Sequence, residues 1–185
     1  MPYESLLERD ALIVLDVDPA VVDFSAQPKT FVWTEGRRKR QYTPDLMVVL
    51  DDGQIVYRQV KPAAFFARNP TLDRRLLAIE KQCTHCGASH EIWLDTDIRR
   101  QPRLANARRI RASASFIAEE GRAAVYTALG TLRMPTTLGI AMDRLGGKPE
   151  QLNLILGIVA RGALAIDLDA TLSRDAALWL GSEYK

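Results

Sequence analysis

Asp45, Gln59 and Lys61 are the residues of this 185-residue sequence whose types and spacing could do chemistry. They sit near the two ends of one segment, Tyr42–Pro62, which reads YTPDLMVVLDDGQIVYRQVKP. A carboxylate and an amide oxygen, with a backbone carbonyl such as that of Val60, suit a hard divalent cation that prefers oxygen ligands. Such an ion lowers the pKa of a bound water and offsets charge on a phosphate under attack. A cation beside it, Lys61, orients the attacking water or stabilises the growing anionic charge. The chemistry indicated is metal-assisted phosphodiester hydrolysis. Taken singly, an Asp at a strand start or a Lys at a strand end is ordinary solvated structure, and only the conjunction points to a site.

The conjunction requires a particular hairpin. Leu46–Leu50 and Ile55–Val60 are aliphatic and β-branched runs, and Asp51-Asp52-Gly53 between them is a loop signal. Side chains alternate along a strand, so Gln59 and Lys61 share one face and Val60 takes the other. A three-residue loop with Gly53 left-handed pairs Leu50 with Gln54, and counting back sets Asp45 opposite Gln59. All three functional side chains then point the same way. A two-residue Asp52-Gly53 turn would instead pair Asp45 with Val60 and put it on the wrong face, unless a bulge restored the count.

Pro44-Asp45 followed by Gln59-Val60-Lys61 resembles the PD-(D/E)xK nuclease pattern, with Gln59 where most of that superfamily has an acid. Gln59-Val60-Lys61-Pro62-Ala63-Ala64, with Ser5-Leu6-Leu7-Glu8 and Gln27-Pro28 upstream, is similar to TnsA, the end-cutting endonuclease subunit of heteromeric transposases. The resemblance runs over about residues 3 to 110. It implies a restriction-endonuclease-like α/β core with a mixed sheet over residues 1–110 and Mg²⁺ or Mn²⁺ as cofactor. It further implies that Glu8, Asp45, Gln59 and the Val60 carbonyl hold the metal, that Lys61 is the catalytic cation, and that Glu8, Asp45 and Gln59 join it in catalysis. The implied activity is cutting at the 5′ side of transposon ends in double-stranded DNA, beside a DDE-type transposase subunit and an AAA+ ATPase regulator. On the residues alone Glu8 is also readable as a solvated helix side chain, and Glu4, one turn earlier on that face, competes for the role.

The other elements follow from period and punctuation. Tyr3–Leu15 reads as an amphipathic helix with Leu7, Ala11 and Leu15 at four-residue spacing, stopped by Asp18-Pro19. Val21–Ala26 and Thr30–Thr34 read as strands, and Arg37, Arg38, Lys39 and Arg40 follow them. Those four cations are either a solvated loop or edge strand, or a phosphate contact beside the active hairpin. A helix starting at Asn69-Pro70-Thr71 and ending at Gly87 would bury Leu72, Leu76, Leu77 and Ile79 and leave Arg68, Arg74, Arg75 and Lys81 as a basic side, and Ile92-Trp93-Leu94 gives a further strand. Cys83-Thr84-His85-Cys86 with His90 invites a zinc reading, but all the ligands would come from eight consecutive residues with no second knuckle. Two small buried thiols at a helix end is the preferred account.

Arg99 to Arg111 holds six arginines, among them Arg99, Arg100 and Arg103, and reads as a phosphate-contacting stretch or a solvated linker helix. Residues 111–185 show three helical runs, 113–132, 136–145 and 149–160, then strands over 164–168 and 176–180, the order of a winged-helix-like domain. Its third helix is nearly all apolar and has no internal cation, so it suits packing or partner binding better than reading a major groove.

Composition bounds these readings. With 47% hydrophobic and 26% charged residues the chain is that of a globular protein. No stretch approaches the roughly 18 apolar residues of a membrane span, and MPYESLLERD lacks a signal-peptide pattern, so a cytoplasmic location without membrane contact is expected. A net charge of +2 is too mild to identify a nucleic-acid binder by itself. Two other functions fit the same residues: a stand-alone nuclease in defence or repair, and a catalytically idle adaptor that binds DNA or protein. Retention of Asp45, Gln59 and Lys61 together argues against the adaptor.

Overall fold

The structure, a computed structural model, describes residues 5–67, 73–115 and 119–181. The chain divides into two compact units, one of residues 1–12 and 20–100, the other of residues 13–19 and 101–185. Glu4, Arg68, Leu72 and the expected helix start at Asn69-Pro70-Thr71 lie outside the described residues, as does the side chain of Arg74.

The first unit is α/β with a mixed sheet. Helix α1 (Leu6–Val17), whose residues 13–17 belong to the second unit, leads into β1 (Val21–Ala26), β2 (Phe31–Glu35), β3 (Arg38–Tyr42), β4 (Leu46–Leu50) and β5 (Ile55–Lys61). Then come α2 (Ala63–Ala67), α3 (Asp73–His85), β6 (Ser89–Leu94) and α4 (Asp95–Ile98). The main sheet has the order β1-β4-β5-β6, with β4 antiparallel to both β1 and β5, and β6 parallel to β5. Parallel neighbours need a long crossover, which α2 and α3 supply. The β2–β3 pair forms a separate hairpin with Arg38, Lys39 and Arg40 exposed on it, so the basic run is an edge strand rather than a loop. Alternation along β4 buries Leu46 and Val48. Phe31, Tyr42, Tyr57, Ile79, Cys83 and Ala88 form a core cluster, with Trp33, Met47 and Ile55 packed against it.

In the second unit α5 (Arg103–Ser113), α6 (Glu119–Gly130), β7 (Thr136–Thr137), α7 (Leu138–Arg144), α8 (Gln151–Val159), β8 (Leu164–Ile166) and β9 (Ala177–Leu180) follow in order. The three strands make an antiparallel sheet ordered β7-β9-β8. The expected helix over 113–132 is corrected: α5 ends at Ser113 and α6 begins at Glu119. The units also divide at Arg100/Gln101, ahead of the expected boundary near 110. The arginine-dense stretch looked like a linker, but on α5 Leu104, Ala107 and Ile110 are almost fully buried. Burying a Leu or Ile contributes about 1.5–3 kcal/mol each, enough to bind this helix into a core. The Asn106 side-chain amide adds two 2.8 Å hydrogen bonds, to the carbonyls of Leu168 and Ala170. Among the described residues no helix is long and apolar enough to cross a membrane.

Candidate active site at the open end of the β4–β5 hairpin

The β4–β5 turn decides where the functional side chains point. Gly53 has φ of +83°, its N–H donates to the Leu50 carbonyl at 2.9 Å, and the Leu50 N–H donates to Gln54 at 2.9 Å. This is the three-residue loop with a left-handed glycine, and the Asp52 carboxylate supports it by accepting from the Gln54 N–H at 2.9 Å. Register then runs through Val48 opposite Val56 to Leu46 opposite Arg58. One step further sets Asp45 opposite Gln59. Their face of the sheet also carries Met47 and Tyr57, which are held in the core cluster, so rigid packing sits directly behind the site.

Asp45 is the hub. Its Oδ2 accepts from the Gln59 side-chain amide at 2.5 Å and from the Val60 backbone N–H at 2.7 Å, and lies 4.0 Å from Lys61 Nζ. Burial pushes the Asp45 carboxyl above the ordinary aspartate range and the charge of Glu8 adds to the rise, while the Val60 N–H, Lys61 and Gln59 oppose it. The Val60 N–H is a participant that residue types could not reveal. Regular pairing ends at Leu46–Arg58, and the next N–H of β5 facing β4 is taken by a side chain instead. In the continued register Pro44 stands opposite Val60 and has no N–H to give the Val60 carbonyl.

Lys61 is itself positioned. Its ammonium lies 5.8 Å from the centre of the Phe65 ring on α2. The start of α2 is tied down by Asp95, the first residue of α4, whose Oδ1 accepts from the Ala63 N–H at 2.8 Å. Asp95 is not among the residues that the sequence singles out, because its partner is 32 residues away.

Glu8 lies in the first turn of α1. Its N–H donates to Ser5 Oγ and Ser5 Oγ donates to its Oε1, both at 3.1 Å, so Ser5-Leu6-Leu7-Glu8 also serves as a helix-start cap. Its negative charge is nevertheless felt at Asp45.

The expected phosphate contacts separate into two groups. Arg37, Arg38, Lys39 and Arg40 are exposed, and Arg40 makes a 2.9 Å ion pair with Glu35. Arg99 pairs at 2.9 Å with the buried Asp10, and Arg100 is exposed. Arg103, by contrast, faces carboxylates. It pairs with Asp18 and, at 3.0 Å, with Asp169, and its side chain is only 18% exposed.

The Cys/His cluster is dispersed. Cys83 is in the core, its thiol pushed up to about 11 by burial, whereas Cys86 is exposed, which corrects the expectation of two buried thiols. His85 Nδ1 lies 2.7 Å from the Lys81 carbonyl, and His90 Nε2 lies 2.9 Å from the Tyr42 hydroxyl. Among the described residues no three His, Cys, Asp or Glu side chains gather as a metal site, so any ion at Asp45 would depend on neutral oxygens too.

No curated protein matches the chain. Residues 18–95, the stretch that holds Asp45, Gln59, Val60 and Lys61 but neither Glu8 nor the second unit's helices α5–α8, match the family described as TnsA-like endonuclease N terminal, so this segment is similar to a TnsA-like endonuclease.

Proposed function

We propose that this protein is a Mg²⁺-dependent DNA endonuclease that cuts the 5′ side of transposon ends as one subunit of a heteromeric transposase. The observation that carries the reading is the Asp45 carboxylate, half-buried and gripped by Val60 N–H and Gln59, with the Lys61 ammonium 4.0 Å away. The charge of Glu8 adds to the cost of ionising Asp45, and a divalent cation, which prefers oxygen ligands, would offset that cost. Asp45, Glu8, the Gln59 amide oxygen and the Val60 carbonyl would hold it, the Gln59 amide presenting oxygen after a half-turn. Bound Mg²⁺ or Mn²⁺ supplies an acidified water and offsets phosphate charge. The chain's own residues do the rest: Asp45 fixes the donor set, Lys61 holds positive charge where the pentavalent phosphate becomes more anionic, and Asp95 keeps the Lys61 strand end in place.

The second unit complements this as a winged-helix-like docking domain. The run α6, β7, α7, α8, β8, β9, with β7 paired to β9, supports that reading. Its α8 has no cation between Gln151 and Val159 and buries Ile155, Leu156, Ile158 and Val159 within the unit, which suits packing rather than reading a major groove. A DDE-type transposase subunit and an AAA+ ATPase are the partners proposed, in the cytoplasm.

The arginines and lysine at 37–40 suit phosphates, which carry no sequence information directly. The isolated protein is therefore expected to cut weakly and without sequence preference, with an affinity falling by roughly one power of salt concentration per phosphate neutralised. The check is cleavage of a labelled transposon-end duplex and a scrambled duplex, with and without the transposase subunit. Efficient, sequence-specific cutting by this chain alone would replace the subunit reading with a self-sufficient nuclease.

A further inference from the structure

A cavity of about 430 Å³ opens beside the catalytic cluster, and its wall includes Gln59 and Lys61 themselves. That volume falls in the roughly 300–1,000 Å³ range of small-ligand pockets. The remaining wall is of mixed character: the rings of Tyr42, Phe65 and His90, the apolar side chains of Leu76, Ile79 and Ile92, and the polar groups of Gln41, Thr43 and Arg75. A second cavity, of about 570 Å³, carries Lys39 and Arg40 and shares Gln41 and Arg75 with the first. The two cavities thus adjoin at Gln41 and Arg75, and the second also carries Trp33 and Glu35, the latter paired with Arg40 at 2.9 Å.

We propose that the first cavity seats one unstacked nucleotide next to the cleaved phosphate, its base against Phe65 and its flanking phosphate held by Arg75 and Lys39. The inference rests on the nuclease reading and assigns its site a base subsite. Three features support a base over bare backbone. The cavity is too confined for a stacked duplex and ample for one base, and a phosphate track alone would not need an apolar floor of Leu76, Ile79 and Ile92. Aromatic rings give bases sequence-tolerant stacking. The wall also holds a polar pair, the Tyr42 hydroxyl 2.9 Å from His90 Nε2, and burial lowers the His90 pKa, so this ring is neutral at neutral pH. Unpairing is cheapest for a mismatched or frayed base, so the subsite would favour distorted or terminal positions of a duplex.

The test uses the full chain with thymidine 3′,5′-bisphosphate and its base-less deoxyribose bisphosphate counterpart, in Ca²⁺. The expected result is that the base-bearing probe binds on the order of tenfold tighter, the size of one base–aromatic stack. Its binding should also shift the NMR signals of the Phe65 and His90 rings. Phe65→Ala should erase the preference, and Thr43→Trp, a bulky change at an exposed position that avoids disturbing the core, should do the same by filling the cavity. Equal affinity for both probes, or a preference untouched by both variants, overturns the base subsite. Duplex cleavage by the same preparation separates the two readings: cutting without base preference removes the subsite and leaves the nuclease. Base preference without any cutting keeps a nucleotide site and removes the nuclease.

Discussion

Lys61→Ala is expected to lower duplex cleavage by roughly 10²–10³-fold, the loss typical of removing one preorganised charge aimed at a developing oxyanion. Folding should survive, because Lys61 is the last residue of β5, its side chain is partly exposed, and its closest charged contact, Asp45, is at 4.0 Å. The Asp45 carboxylate keeps its Val60 and Gln59 donors in the variant, so the defect should lie in the chemical step, and DNA affinity should change little. Single-turnover cleavage under saturating protein, set beside a filter-binding isotherm, reads the two separately. A variant that binds normally and cuts at the parental rate would remove Lys61 from the mechanism.

Asp45→Asn should do two things of opposite sign. Binding of Mn²⁺, followed by calorimetry, should weaken by roughly 100-fold or more, since even changing a partner of a metal ligand costs about 10–100-fold. Thermal stability at neutral pH should rise. Burial raises the Asp45 pKa in the folded chain, so the folded state holds an ionised carboxylate at a cost that the unfolded chain does not bear. For an acid whose folded pKa lies above its unfolded one, the folded state binds the proton more tightly, and stability falls as pH rises from the unfolded value through the folded one. An asparagine keeps an oxygen for the Val60 N–H and removes the charge. The gain in Tm should therefore be present at pH 7 and vanish at about pH 3, where the parent carboxyl is also neutral. Metal binding by the parent should weaken with acid at a higher pH than an exposed aspartate would allow, because protons compete at Asp45. A lower Tm at pH 7, or a difference independent of pH, would mean that burial is not the dominant influence on this group.

What the chain disclosed in advance was local. Asp51-Asp52-Gly53 specified a turn, the period of two carried that turn to Asp45, and the face of Gln59 and Lys61 followed, because a strand has no freedom to place alternate residues otherwise. The four-residue spacing of Leu7, Ala11 and Leu15 likewise specified a helix. The features that were not legible join distant positions. Arg99 meets Asp10 across 89 residues and Arg103 meets Asp18 across 85, so arginines that looked free for DNA turned out to face carboxylates. Val60 contributes through its backbone, for which its side chain is silent. The register set by the turn left that N–H facing the Asp45 carboxylate, a consequence of position rather than residue type. The cavity beside Lys61 is the extreme case, since its walls come from β3, β5, α2, α3 and β6 and no single segment bears its signature.

The unequal burial of the two cysteines makes the nuclease unit report on its own opening. Cys86 is exposed and should react with one equivalent of maleimide at once. Cys83 shows no exposed surface and its thiol titrates near 11, so it can react only when α3 lifts from the Tyr42 and Tyr57 side of the sheet. With Cys86 blocked, the slow second modification, followed by mass spectrometry, measures the free energy of that opening in the intact chain. Because Tyr42 and Ile79 belong both to the packing around Cys83 and to the wall of the cavity beside Lys61, a nucleotide seated in that cavity should slow the modification. A rate that ligand leaves unchanged would show that the cavity and the core beneath it open independently.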